Sequence, residues 1–319
     1  MRALRSLLVL LAVVSLAACS TGGGATQSPS ASAPSESSAP VPSSVASAGA
    51  SAAADCNPDT LQTKEAGTLT IGTDNPAYPP FFQIPPEGTE ATAPWELGDP
   101  TNGEGFEAAF AYALADQLGF AKDNVKWIVS PFDVAIAAGP KDFDLHIAQI
   151  SYAPERAAVV DLSDGYYFNN QSVVGMGGTP IASAKSIADL KPFTFGAQIG
   201  TTSLKTITDV IQPSSEPMIY NTNDDAVAAL QAKQIDGLVV DLPTAFYVTS
   251  AQVEGSVVVG QFPAPEGTDA EHFSVLLAKD SPLTDCVNQA IGQLKESGEL
   301  EAITTEWLAD KVNAPAFTQ

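Results

Sequence analysis

The chain has 319 residues, with 37 acidic side chains against 14 basic ones and a net charge of −23. So acidic a surface repels phosphate backbones and anionic lipid heads, which excludes nucleic-acid binding. Two histidines and three cysteines also leave it poor in metal ligands and nucleophiles, so neither a metal nor another cofactor is expected.

Two arginines, Arg2 and Arg5, precede an apolar run from Ser6 to Ala18 that is short for a bilayer span, which reads as an export signal over 1–18. Leu16-Ala17-Ala18-Cys19 resembles the bacterial lipobox, in which cleavage falls before the cysteine and its thiol carries lipid. The alternative is an ordinary signal with a chance cysteine. On the lipoprotein reading Cys19 anchors the chain to the cell membrane, and removing two arginines and no acid takes the charge from −23 to −25. Residues 19–56 form the linker. From Ser20 to about Ala54 the sequence is almost entirely Ser, Ala, Pro, Gly and Thr without an aromatic residue, the composition of a disordered tether. A coil of that length spans roughly 30–35 Å. Cys56 and Cys286 remain, and in an exported chain they either pair or stay as buried thiols.

About 260 residues are left to fold, enough for two lobes or one large α/β unit. Gly67 to Asp74 reads as a strand and Phe106 to Leu118 as a helix, with Phe106, Ala109, Phe110, Ala113 and Leu114 on one stripe ended by Gly119. Strands follow at Val125–Val129 and Asp144–Ile150, with a third opening at Val173. A second set comprises a strand at Thr194–Ala197, a helix from Gly200 through Ile211, and a helix capped by Asp224. Buried strand Gly237–Asp241, strands Val257–Phe262 and Phe273–Lys279, and helices Thr284–Ser297 and Glu299–Lys311 complete it. Strand–helix alternation predicts the α/β class.

Several ordered motifs then resemble one family, the polar amino-acid-binding proteins of bacterial ABC importers, solute-binding family 3. They are Gly67-Thr68-Leu69-Thr70-Ile71-Gly72-Thr73-Asp74, Gly105-Phe106-Glu107, Pro154-Glu155-Arg156, Asp164-Gly165-Tyr166-Tyr167, Gly200-Thr201-Thr202, Val240-Asp241, and Gly298-Glu299-Leu300 through Trp307. The resemblance covers roughly Gly67 to Asp310. It implies a two-lobed periplasmic-binding-protein-like fold of type II, with lobe 1 made of 57–165 and 274–319 and lobe 2 of 171–268. Two hinge crossings, 166–170 and 269–273, would let a cleft close over ligand.

A free amino acid is a zwitterion, so its site must hold a positive clamp and an acceptor a few ångströms apart. By resemblance Arg156 grips the ligand α-carboxylate with two parallel hydrogen bonds, and the Ser151 hydroxyl takes a further lone pair. Thr201 and Thr202 add the free backbone N–H groups of a helix start, although Gly-Thr-Thr-Ser alone is only a capping sequence. Asp241 faces the α-ammonium, or else caps the helix entered through Leu242-Pro243-Thr244. Asp74 is a second acid for the ammonium or the ligand side chain, with turn formation at Asn75-Pro76 as its rival role. Tyr78 or Phe81, and Phe132, are the expected apolar walls, each with plain core packing as the alternative. Phe82, Trp95, Trp127 and Trp307 are expected in core or loop packing.

The sequence departs from the family at Ala109, at Ala153 where a capping Thr is usual, and at Gln149 where Gly or Ser is usual. That glutamine either narrows the pocket or offers an amide to the ligand. The insert Ile84–Gly103, with Glu87, Glu90, Glu96 and Asp99, reads as a solvated acidic loop or as a cation-attracting rim. The implied partners are a free amino acid and an ABC transporter permease, and the implied state is a monomer. Two rival functions share the fold: a ligand-sensing lipoprotein reporting to a membrane kinase, and a lyase or dehydratase. His146 and His272 have no partner pattern for nucleophilic or metal chemistry, so no enzyme is expected.

Overall fold

The structure is a computed structural model that describes residues 56–263, 270–308 and 314–318. The signal segment, Cys19 and the linker up to residue 55 lie outside the described residues.

Strands β1 (Leu69–Thr73), β2 (Val125–Val129), β3 (Leu145–His146) and β4 (Asp161–Leu162) open the chain, and β5 (Tyr167–Phe168) leaves their sheet. Strands β6 (Gln171–Met176), β7 (Phe195–Gln198), β8 (Met218–Tyr220), β9 (Gly237–Asp241) and β10 (Ser256–Gln261) build a second sheet. The chain returns through β11 (His272–Phe273) to β12 (Leu276–Leu277), which re-enters the first sheet between β3 and β4. Sheet orders are β2-β1-β3-β12-β4 and β10-β6-β9-β7-β8. β1 pairs parallel with β2 and β3, and β7 with β8 and β9, as crossover connections demand, while β12 and β6 each pair antiparallel with both neighbours.

Period-two alternation explains how the second sheet is buried on both faces. Val173 and Val239 point into one apolar cluster with Phe195, Ile207 and Ile211, while their neighbours Val174, Leu238 and Val240 point into another with Ala226, Leu230 and Val248. The first sheet packs on helix Phe106–Gln117 through Phe106, Phe110 and Leu114, and on helix Thr284–Ser297 through Val287, Ile291 and Leu294. Those positions recur at three- and four-residue spacing, so each helix buries one stripe.

The two crossings lie side by side. β5 pairs antiparallel with β11, His272 opposite Phe168 and Phe273 opposite Tyr167. This ladder puts Asn169, Gln171 and Glu271 next to one another at the base of the cleft.

Four expectations need correction. Helix Asn223–Gln231 is capped by Thr222, whose hydroxyl accepts from the Asp225 N–H, and not by Asp224. The strand expected at Asp144–Ile150 is only two residues long, because the backbone turns at Gln149 with φ +50°. The strand expected at Phe273–Lys279 is split into β11 and β12. Residues 314–318, assigned above to lobe 1, pack on the second sheet: Phe317 is buried against Phe262, and its N–H bonds to the Gln261 carbonyl at 2.9 Å.

The insert is ordered around Asp99, which is buried and accepts from the N–H groups of Thr92 and Thr101. It is neither solvated nor free to attract cations, whereas Glu87, Glu90 and Glu96 are exposed. Trp95 and Trp127 are buried in the first core, and Trp307 packs against it half-buried. Cys56 and Cys286 form a disulfide with Cα atoms 5.4 Å apart, tying the start of the folded chain to helix Thr284–Ser297.

Candidate ligand-binding site

The carboxyl ends of β1, β7 and β9 converge on one cleft, the usual place for ligands in open α/β sheets. Phe132, Gln149, Ser151 and Arg156 from the first sheet's connections meet Thr201, Thr202, Ser203, Asn223 and Asp241 from the second around a small cavity of about 30 Å³. An adjoining cavity of about 120 Å³ shares Gln149 and Asn223 with it, and also has Asp74, Tyr78, Phe82, Gln198 and Asp224 in its wall.

Arg156 sits on a one-turn helix, Pro154–Ala157, that starts at Ala153 without a side-chain cap. Its guanidinium is buried, 7% exposed, and packs over the Phe132 ring at 5.4 Å. One terminal nitrogen donates to the Ser151 carbonyl and the other to the Gly200 carbonyl, each at 2.6 Å. Burial lowers its pKa, with Asp241 and Glu271 acting in the opposite direction. Two carbonyls fix the fork and leave its remaining N–H groups without an ion pair among the described residues. A surface salt bridge is therefore not what this arginine makes.

Asp241 occupies the N-cap position of helix Leu242–Tyr247, yet its side chain accepts nothing from that helix. It accepts instead from the Asn169 amide and from Gln171 Nε2, the latter at 2.7 Å. Gln171 Nε2 also donates to Glu271 Oε1 at 2.9 Å, while Gln171 Oε1 accepts from Ser203 Oγ at 2.7 Å. Burial, and then the Glu271 charge, push the Asp241 pKa well above the usual carboxylate range; the two amides and Arg156 pull less strongly the other way. A carboxylate so placed lacks a cation.

The larger cavity is acidic. Asp74 accepts from the Asn75 N–H at 2.9 Å and has its pKa raised mainly by burial. Tyr78 donates its hydroxyl to Asp224, both carboxylate oxygens lying at 2.7 Å, and packs against Tyr247 with ring centroids 5.8 Å apart. No Lys, Arg or His is among the residues that line this cavity.

Gln149 is held from behind. Its backbone N–H donates to Glu107 Oε1 at 2.7 Å, and its side-chain amide donates to Glu107 Oε2. Glu107 is fully buried, also accepts from the Tyr166 hydroxyl, and has its pKa raised to about 7 by burial. Glutamate in the Gly-Phe-Glu motif thus fixes the left-handed turn that brings Gln149 into both cavities.

The sequence and the fold are similar to those of known proteins. The model of the bacterial extracellular solute-binding proteins, family 3, matches residues 87–310. The chain belongs to that family. This family 3 protein is 27% identical over 229 residues to the arginine-binding extracellular protein ArtP of Bacillus subtilis, covering 69% of the chain and 84% of ArtP. It is 28% identical over 255 residues to the L-cystine-binding protein TcyJ of Escherichia coli, covering 78% and 85%. Among solved structures, an amino acid ABC transporter substrate-binding protein from Streptococcus pneumoniae bound to L-arginine superposes with a TM-score of 0.59 at 25% identity, covering 76% of this chain and 94% of that one. The fold is the type II periplasmic-binding-protein fold, and the protein is a binding protein, not an enzyme.

Of the residues picked from sequence, Arg156, Ser151, Thr201, Thr202, Asp241, Phe132 and Gln149 surround the smaller cavity of the family 3 protein, and Asp74, Tyr78 and again Gln149 the larger. Phe81 does not reach either. It is 1% exposed in the first core against Phe273, because the chain after Tyr78 turns back to bond the Phe81 and Phe82 N–H groups to the Tyr78 carbonyl. Phe82 is in the core as expected, 1% exposed and edge-on to Trp127, and it also borders the larger cavity. Ser151 also differs from expectation: its hydroxyl donates to Glu271 Oε1 at 2.7 Å. Glu271, Gln171, Asn169, Asn223 and Asp224 were missed. A polar residue opening an otherwise apolar strand, as Gln171 does in β6, was the available signal; Glu271 had none beyond its place in a crossing.

Proposed function

We propose that this protein captures a free, polar amino acid between its two sheets and delivers it to an ABC transporter permease, held at the membrane by lipid on Cys19. The observation that carries the reading is the placement of Arg156 and Asp241 on one small cavity: a buried guanidinium with spare donors and a half-buried carboxylate in want of a cation. An α-amino acid supplies both missing charges at once. Its carboxylate completes the Arg156 fork, and its ammonium relieves the desolvated acid.

The side chain of the ligand then points to the larger cavity. Asp74 and Asp224 in its wall, without a compensating basic residue, favour a cationic side chain such as that of arginine or lysine. ArtP, named for arginine binding, supports the same preference. A thermal-shift screen of the twenty amino acids and cystine tests the reading, since a ligand bound only by the folded state raises the melting temperature. Arginine or lysine is expected to give the largest rise. No rise with any amino acid refutes the function.

A further inference from the structure

Glu271 lies on the returning crossing, beside the cleft but outside the residues that surround either cavity. Its Oε1 accepts from Ser151 Oγ and from Thr202 Oγ1, each at 2.7 Å, and from Gln171 Nε2 at 2.9 Å. Both hydroxyls belong to the wall of the smaller cavity. A hydroxyl has one proton to give, and an ionised carboxylate can only accept. Gln171 cannot release those protons for other use, because its amide is fixed end to end: Oε1 takes the Ser203 hydroxyl, and Nε2 serves Asp241 at 2.7 Å and Glu271 at 2.9 Å, with a longer 3.3 Å contact to one lone pair of Thr202 Oγ1. Thr202 Oγ1 also lies 3.4 Å from Ser151 Oγ, but the 2.7 Å bonds to the carboxylate are much the shorter, so both hydroxyls spend their protons on Glu271 and what each has left for the cavity is a lone pair.

From this geometry, and resting on the amino-acid reading above, we propose that Glu271 is a positioning residue that turns the Ser151 and Thr202 hydroxyls into acceptors facing the ligand, so that the site selects for an ammonium group. An ammonium has three N–H donors; Asp241, Ser151 and Thr202 are three acceptors around one cavity. A ligand with hydrogen in place of the α-ammonium leaves all three unsatisfied, and unmade hydrogen bonds in a closed site are expensive. The ligand carboxylate is left to Arg156, which has donors only.

The test compares L-arginine with 5-guanidinopentanoic acid, the same molecule without its α-amine, by calorimetric titration of the wild type, Glu271→Gln and Thr202→Val. If the screen ranks another amino acid first, that one and its desamino acid are used. A glutamine amide no longer forces the hydroxyl protons inward, and valine deletes one acceptor without touching the crossing. The expected result is an about tenfold loss of amino-acid affinity in each variant, with desamino-acid affinity within about twofold of wild type. Discrimination between the pair then narrows by about tenfold. Equal losses for both ligands make Glu271 a merely structural residue and overturn the proposal. Unchanged or tighter amino-acid binding also overturns it, the tighter case marking Glu271 as a competitor of the ligand. If neither wild type nor variants bind any amino acid, the amino-acid reading falls and this inference with it; if the wild type binds and discrimination is unchanged, only the inference falls.

Discussion

Arg156 donates a hydrogen bond across the cleft to the carbonyl of Gly200 at 2.6 Å, so the residue proposed to grip the ligand also joins the connections of the two sheets. Gly200 has φ +76°, a conformation that turns this carbonyl toward the arginine at little cost only for glycine. The bond needs a planar fork, one arm on the Ser151 carbonyl, the other on Gly200, with donors to spare. Lysine has the charge but a single nitrogen. Arg156→Lys is expected to lower ligand affinity by about a hundredfold, measured by calorimetry, while the ligand-free protein melts within a few degrees of wild type. Near-wild-type affinity in the lysine variant contradicts the fork.

Asp241 makes binding depend on pH with a definite sign. Its pKa is raised in the free protein by burial and by Glu271, and a ligand ammonium beside it lowers that pKa again. Ligand binding therefore releases protons, and affinity rises as pH climbs through the raised pKa and falls below it, down to the ordinary carboxylate range. Titrations at pH 7 in two buffers of different ionisation enthalpy read the release directly. Identical heats in both buffers contradict this role of Asp241.

On the proposed reading, Asp74 and Asp224 in the wall of the larger cavity select the ligand side chain by charge. Asp224→Asn and Asp74→Asn are each expected to weaken arginine and lysine by about tenfold while leaving glutamine within about threefold, in competition against a labelled amino acid. Equal effects on charged and neutral ligands remove the electrostatic argument. Asp224 has a second task, accepting the Tyr78 hydroxyl. Tyr78→Phe separates the two, because it deletes the bond and keeps the charge.

The Cys56–Cys286 disulfide spans 230 residues of sequence. Closing so long a loop removes much unfolded-state entropy, at most roughly 5 kcal/mol. Replacing both cysteines by serine is expected to lower the melting temperature of the ligand-free protein by several degrees and to leave ligand affinity unchanged, since neither cysteine lines either cavity of the candidate site. An unaltered melting curve contradicts the stabilising role.

Most strands and the long helices were readable in the sequence because burial imposes period: Val173 and Val174 face opposite clusters, and Val287, Ile291 and Leu294 share one helix face. Asp241 stood out as a charged group ending an apolar strand, and Arg156, on a one-turn helix, only through the resemblance of Pro154-Glu155-Arg156; both border the smaller cavity. Phe81 was misplaced as a wall because a turn, not a periodic element, decides which of two adjacent buried rings borders the cavity. Glu271 and Asn169 escaped for another reason. Their chemistry comes from the pairing of β5 with β11, about a hundred residues apart in sequence, and no local pattern encodes that adjacency. Glu107 escaped because its carboxylate serves Gln149 from within the core.

On the proposed function Arg156 and Asp241 hold opposite ends of one zwitterion. Calorimetric titration of L-arginine into the wild type, Arg156→Ala and Asp241→Ala tests it most directly, with far-ultraviolet circular dichroism on each to show that the fold is kept. The expected result is saturable binding by wild type and a loss of at least about a hundredfold in both variants. Wild-type affinity in both folded variants contradicts the claim.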